Sequence, residues 1–222
     1  MIKATAQLFS VLFHPLLIPT YMLVLLLIIN PYLFGVHGLG EQLSQLLLIR
    51  IFFSTFLIPA IAIAMLKFLG LIESFEMRDK QERIGPYIIT GIFYLWMVRN
   101  FIENPQIPTA YTSFVLGATI ALFLAFFINI FSKISAHAVG MGGLLGMIVI
   151  TMLFFSHDTF ALTSVLTGTI QLNMNIILML AILLAGIVGS ARLILEAHHP
   201  QDLYGGFLVG FATQFIALRF LF

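Results

Sequence analysis

The stretch from Arg192 to Asp202 reads Arg-Leu-Ile-Leu-Glu-Ala-His-His-Pro-Gln-Asp. It sets a guanidinium, two imidazoles and a closing carboxylate within eleven residues. Only 9% of the chain is charged, so each polar group here needs a reason. Arg, His and Asp together at the mouth of apolar segments suit chemistry on an anion. The apolar surroundings point to a phosphate carried by a lipid.

The local order of these residues is set by Pro200. Proline lacks an N–H and disfavours helix at the residue before it. One helix should therefore end near Ala197, with His198 on the turn. Pro200 can open the next helix, which places Asp202 in its first turn, where a carboxylate is favoured. A carboxylate beside an imidazole holds one tautomer and leaves the other ring nitrogen to attack or to take a proton. Taken alone, Arg192 would be a snorkelling interfacial residue. The combined string favours a site, with His199 at its mouth.

Two other polar stretches could complete it. Residues 132–143 read Ser-Lys-Ile-Ser-Ala-His-Ala-Val-Gly-Met-Gly-Gly. Ser135 is a candidate N-cap, and the helix start it caps would offer N–H groups and a positive dipole end to phosphate. His137, just inside that helix, suits a general acid to a leaving oxygen. The ordinary alternative is a capped helix with an interfacial histidine. Residues 73–86 form the densest charge cluster, with Arg78, Lys80 and Arg83 as candidate phosphate clamps. There the alternative is a solvated loop or short helix, in which Glu76–Lys80 and Asp79–Arg83 pair at helical spacing.

Other polar groups rank lower. His14 lies just before Pro15 and Pro19 and reads as structural or interfacial. His37, His157 and Asp158 fall on the far side of the membrane. A zinc site from His137, His198, His199 and Asp202 is conceivable, but no two show a helical His-x3-His spacing. Cysteine is absent, which excludes disulfides and thiolate metal sites. No basic stripe exists for nucleic acid.

The elements that must position these residues are membrane helices. The chain has 222 residues, is 61% hydrophobic and has a mean hydropathy of +1.10. That exceeds what a soluble domain needs. Helices satisfy their own backbone groups in lipid, so an all-α polytopic transmembrane bundle of six to seven spans is expected, as a single domain over 1–222. The expected spans are 7–29, 45–70, 86–103, 109–131, 138–156, 174–196 and 203–221, the first retained rather than cleaved as a signal peptide. The third is short and carries Arg99. Seven spans put the N-terminus, 71–85, 132–137 and 197–202 on one face, so the three polar stretches meet. Small residues at four-residue spacing (Ala138, Gly142 and Gly146; Ala181, Ala185 and Gly189; Gly206 and Gly210) should let these helices approach closely. Basic residues do not fix orientation: once the candidate anion-binding cations are set aside, the two faces carry three each.

With these residues in view, the chain resembles the type 2 phosphatidic acid phosphatase superfamily, which also includes vanadium haloperoxidases. That family's third motif is Ser-Arg-x5-His-x3-Asp. Arg192, His198 and Asp202 match it in spacing, and Pro200 and Gly206 match its usual continuation. Ala191 stands in the serine's place. The second motif, Pro-Ser-Gly-His, is similar to Ile134-Ser135-Ala136-His137, keeping Ser and His. The first motif, Lys-x6-Arg-Pro, is approached by Lys80, Arg83 and Pro86 at shorter spacing, with Arg78 a rival cation. The resemblance covers about residues 75–210.

The resemblance implies a phosphatase-like core and hydrolysis of a lipid phosphate or diphosphate through a phosphohistidine. His198 would be the nucleophile, Asp202 its orienting partner and His137 the general acid. Arg192, Lys80, Arg83, Arg78 and the backbone near Ser135 would bind the phosphoryl oxygens. No metal or other cofactor is implied. Undecaprenyl diphosphate, phosphatidylglycerophosphate, phosphatidate and lipid A phosphates are the candidate substrates. The implied setting is a bacterial inner (plasma) membrane with the site on its extracytoplasmic face. A lipid phosphotransferase and a non-catalytic carrier of anionic lipid are the alternatives.

Overall fold

The structure, a computed structural model, describes residues 1–77, 79–164 and 168–222. Among them are nine α-helices. They are α1 (Ile2–Leu12), α2 (Ile18–Ile29), α3 (Gln42–Phe52), α4 (Ile58–Phe68), α5 (Ile84–Ile102), α6 (Thr109–Phe131), α7 (Ala136–Ile150), α8 (Met174–Ile194) and α9 (Pro200–Leu221). Among the described residues, six stretches are long and apolar enough to cross a membrane: 2–29, 42–68, 109–131, 136–155, 174–194 and 200–221. The chain is an integral membrane protein.

Proline explains two interruptions inside these stretches. Pro15 breaks the first one, so α1 and α2 are joined by a short 3-10 turn at Pro15–Leu17. His14 caps that turn, its Nδ1 accepting the Leu16 N–H at 3.3 Å. In the second stretch a π turn, Phe53–Leu57, precedes Pro59, whose missing N–H disrupts the α-helical ladder.

Hydrogen bonds fix which ends of the helices lie together. At one end, Lys80 donates to the carbonyls of Ile130 and Phe131 at 3.1 and 3.4 Å. Arg83 donates to Ile134 at 3.0 Å, and the Ser135 N–H donates to the Asp202 carbonyl at 3.2 Å. At the other end, the Asn30 amide donates to Phe155 at 2.9 Å, and the Phe34 and Phe101 rings lie 6.3 and 6.0 Å from Tyr111. Arg83 and Phe101 thus lie at opposite ends, so α5 runs the length of the bundle. Its 19 residues span about 28 Å. Arg99 and Asn100 near its end lower its hydropathy, and it stands apart from the six apolar stretches.

Where α7 meets α9, the two backbones nearly touch. A Cβ on Gly210 would run into the Val139 carbonyl, and one on Gly142 into the Phe207 carbonyl. A Cβ on Gly206 would lie 2.9 Å from the Ser135 carbonyl, and one on Gly146 would lie 2.8 Å from that of Phe211. Two of the three four-residue stripes expected from sequence, those on α7 and α9, therefore form this seam, while the α8 stripe lies outside it. It holds the start of α7 against the start of α9.

Three features depart from expectation. The connection 157–173 carries an antiparallel hairpin, β1 (Thr159–Ser164) and β2 (Gly168–Asn173), paired from Thr159↔Asn173 to Ser164↔Gly168. Helix α8 ends at Ile194 rather than near Ala197, because Glu196 takes a left-handed φ of 53°. Residues 73–77, with Met77 at φ 44°, and 79–80 are irregular, so the helical Asp79–Arg83 geometry does not form. Asp79 instead accepts the Gln81 N–H at 3.1 Å.

Candidate functional site

The end of α8 brings Arg192 and His198 onto one turn. The Glu196 N–H bonds the Leu193 carbonyl at 2.9 Å, and the Ala197 N–H bonds that of Arg192 at 3.1 Å. This is a Schellman closure with glutamate at the position where glycine is usual. The chain then re-enters helix at Pro200, as its chemistry requires, and Asp202 stands at the third helical position. Its Oδ2 accepts the His199 N–H at 3.1 Å and faces His198 Nδ1 at 3.2 Å. His199 itself caps α9 and is exposed.

A carboxylate only accepts, so Nδ1 of His198 carries the proton and Nε2 holds the lone pair. The His198 side chain is 2% exposed and that of Asp202 11%. Burial pulls the His198 pKa from 6.5 to about 4. Arg83 and Arg192 push the same way, the Asp202 hydrogen bond opposes them, and Lys133 adds a weaker push downward. His198 is therefore neutral at pH 7, the form that can attack.

The helix start expected at Ser135 is present. Ser135 is fully buried and its hydroxyl accepts the Ala138 N–H at 3.4 Å, with His137 the second residue of α7. Because the Ser135 N–H is bonded to the Asp202 carbonyl, the second and third polar stretches are one structure.

Arg83 ties in the first stretch. It is 7% exposed, with Nε on the Met77 carbonyl at 2.9 Å and Nη1 on that of Ile134. Burial lowers its pKa, while Tyr87, Asp202 and Glu82 act to raise it. Lys80 behaves differently. It is exposed, and its ammonium sits on the last carbonyls of α6, where a cation complements the helix dipole. Arg78 lies outside the described residues. Of the cations named from sequence, Arg83 and Arg192 converge on His198, and Lys80 caps a neighbouring helix.

Arg192 adds an observation of its own. Its Nη1 donates to the Ser10 hydroxyl at 2.6 Å, but its buried Nε has no hydrogen-bond partner among the described residues. A buried cationic donor left open is costly unless something acidic comes to meet it.

Two residues of the first stretch join the site that sequence reading left out. Ser10 meets both Arg192 and His137, and the His14 ring lies edge-on to that of His137 at 5.6 Å. The available signal was a polar pair, Ser10 and His14, at four-residue spacing before a proline break. His37, His157 and Asp158 lie at the opposite end, as expected. Among the described residues, no three of His, Asp and Glu are grouped to hold a metal ion.

An apolar cavity of roughly 80 Å³ starts beside the site, at Ala136 and Tyr87, and runs between α5, α6 and α7 to Phe114 and Gln214. The Gln214 amide is fully buried there, with neither its nitrogen nor its oxygen hydrogen-bonded. Compared with known family models, curated proteins and solved structures, the chain matches none of them.

Proposed function

We propose that this protein is a membrane phosphatase of the type 2 phosphatidic acid phosphatase kind, hydrolysing a lipid phosphate or diphosphate through a phosphohistidine. One observation carries the reading. A buried, neutral His198 has its Nδ1 held by Asp202 and its Nε2 free, beside two arginines, one of which has an unpartnered buried N–H. A carrier of anionic lipid would use the arginines but has no need of an oriented nucleophile.

In this reading the phosphoryl oxygens rest on Arg192, Arg83 and the start of α7, which supply fixed positive charge where negative charge develops. His198 Nε2 attacks phosphorus, the P–O bond to the lipid breaks, and His137, protonated at both ring nitrogens in the substrate complex, gives a proton to the departing oxygen. Water then attacks the phosphohistidine, His137 takes back a proton, and the P–N bond breaks to release phosphate. The setting of the site among six apolar crossings supports a substrate with an apolar chain. Phosphatidate, phosphatidylglycerophosphate, undecaprenyl diphosphate and lipid A phosphates all meet that requirement.

The test is phosphate release by protein purified in detergent across those four lipids. At least one should be turned over, with His198→Ala reduced by 10³-fold or more, on the order reported for lost nucleophiles. Failure on every lipid, or full activity in His198→Ala, overturns the proposal.

A further inference from the structure

Helix α1 ends in an unusual way. The Phe13 N–H bonds Phe9, and the His14 N–H turns back to Val11 at 3.2 Å. Pro15 has no N–H to offer. The Ser10 carbonyl is thereby one of the orphan acceptors of a helix end. It lies 2.9 Å from His137 Nε2, while the Ser10 hydroxyl lies 3.2 Å from the same nitrogen.

Donor and acceptor roles follow from chemistry. A carbonyl can only accept, so at 2.9 Å the proton belongs on His137 Nε2. Arg192 can only donate, so the Ser10 hydroxyl accepts its Nη1–H at 2.6 Å. Ser10 is 6% exposed, so water does not compete well for either bond.

We propose that Ser10 is a positioning residue of the site: its carbonyl holds His137 as the Nε2–H tautomer, and its hydroxyl aims Arg192 at the anion. Ser10 does for the acid what Asp202 does for the nucleophile. His137 Nδ1 is then the atom that exchanges a proton with the reacting oxygen, and the carbonyl stabilises the imidazolium when Nδ1 is also protonated. Helix α1 becomes a fourth arm of the site, beside the turn at Arg83, the start of α7 and the α8–α9 turn. The inference rests on the phosphatase reading for its purpose, but its geometry stands on Ser10, His137 and Arg192 alone.

The test uses the full chain in detergent with ¹⁵N-labelled histidine. Imidazole nitrogen shifts identify each tautomer, and the spectrum of His137→Gln assigns the His137 signals. Wild-type His137 should be the Nε2–H form. A Nδ1–H form overturns the carbonyl assignment. Inorganic phosphate is then titrated against the same signals. Ser10→Ala keeps the carbonyl but removes the acceptor of Arg192, so phosphate should bind about tenfold more weakly, with the His137 tautomer unchanged. Ser10→Thr, which keeps the hydroxyl, should restore binding. Equal affinity in wild type and Ser10→Ala overturns the role given to the hydroxyl. If Ser10→Ala does not fold, the comparison of wild type with Ser10→Thr and the wild-type tautomer decide. Neither readout needs turnover, so a failed phosphatase assay and a failed Ser10 assignment are separate results.

Discussion

At the scale of the residue, the account turns on the protonation of His198. Its pKa is held at about 4 by burial, then by Arg83 and Arg192, against the Asp202 hydrogen bond. The acid limb of kcat/KM, which reports the free protein, should therefore lie near pH 4 rather than 6.5. Arg83→Gln removes a positive neighbour, so it should move that limb to higher pH while weakening substrate binding. A limb at 6.5 in the wild type contradicts the burial argument. The same shift couples to folding. The unfolded chain takes up this proton near 6.5 and the native chain only near 4, so the unfolded state holds more protons between those values. The His198 contribution thus lowers stability as pH falls from 6.5 to about 4, and it is flat above 6.5. In detergent, His198→Gln should show a smaller drop in Tm between pH 7.5 and pH 4.5 than the wild type.

At the scale of the element, two helix features hold the site. The α8 closure relies on Glu196 at φ 53°, a conformation in which a Cβ costs about 1 kcal/mol. Its ion pair with Lys3, at 3.4 Å, is solvent-exposed on both sides and adds little. Glu196→Gly should therefore be more stable than Glu196→Ala by about 1 kcal/mol in denaturation, a reversal of the usual order. The second feature is the α7–α9 seam. A methyl group on Gly210 meets the Val139 carbonyl, backbone that cannot rotate away. Gly210→Ala should cost about 3 kcal/mol or more and disturb the Ser135–Asp202 contact with it. Gly186 has nothing within 4 Å of its missing Cβ, so Gly186→Ala should be neutral or mildly stabilising.

At the scale of the whole molecule, periodicity and proline chemistry made much of this arrangement legible in the sequence. Apolar length predicted the crossings, Pro200 placed Asp202 in the first turn of α9, and the alternation of faces put residues 83, 135–137 and 192–202 at one end. The small-residue stripes pointed to the α7–α9 seam. What local pattern could not give were contacts between residues far apart in the chain. Ser10 and Arg192 are 182 positions apart, and nothing near Ser10 announces a guanidinium. The helical ion pairs expected at 76–83 presumed a helix, whereas the segment is bent to carry Arg83 onto Ile134. Lys80, expected in the clamp, sits on the open carbonyls at the end of α6, a long-range contact that its own neighbours in sequence do not announce. The central claim is that a lipid phosphate passes through His198. It is tested most directly by rapid acid-free quenching of protein mixed with ³²P-labelled lipid phosphate, with the trapped label located by peptide mapping. The account predicts an acid-labile, base-stable phosphoryl group on the peptide containing His198, lost in His198→Ala. Turnover with no label on that peptide, or label that persists in His198→Ala, would contradict it.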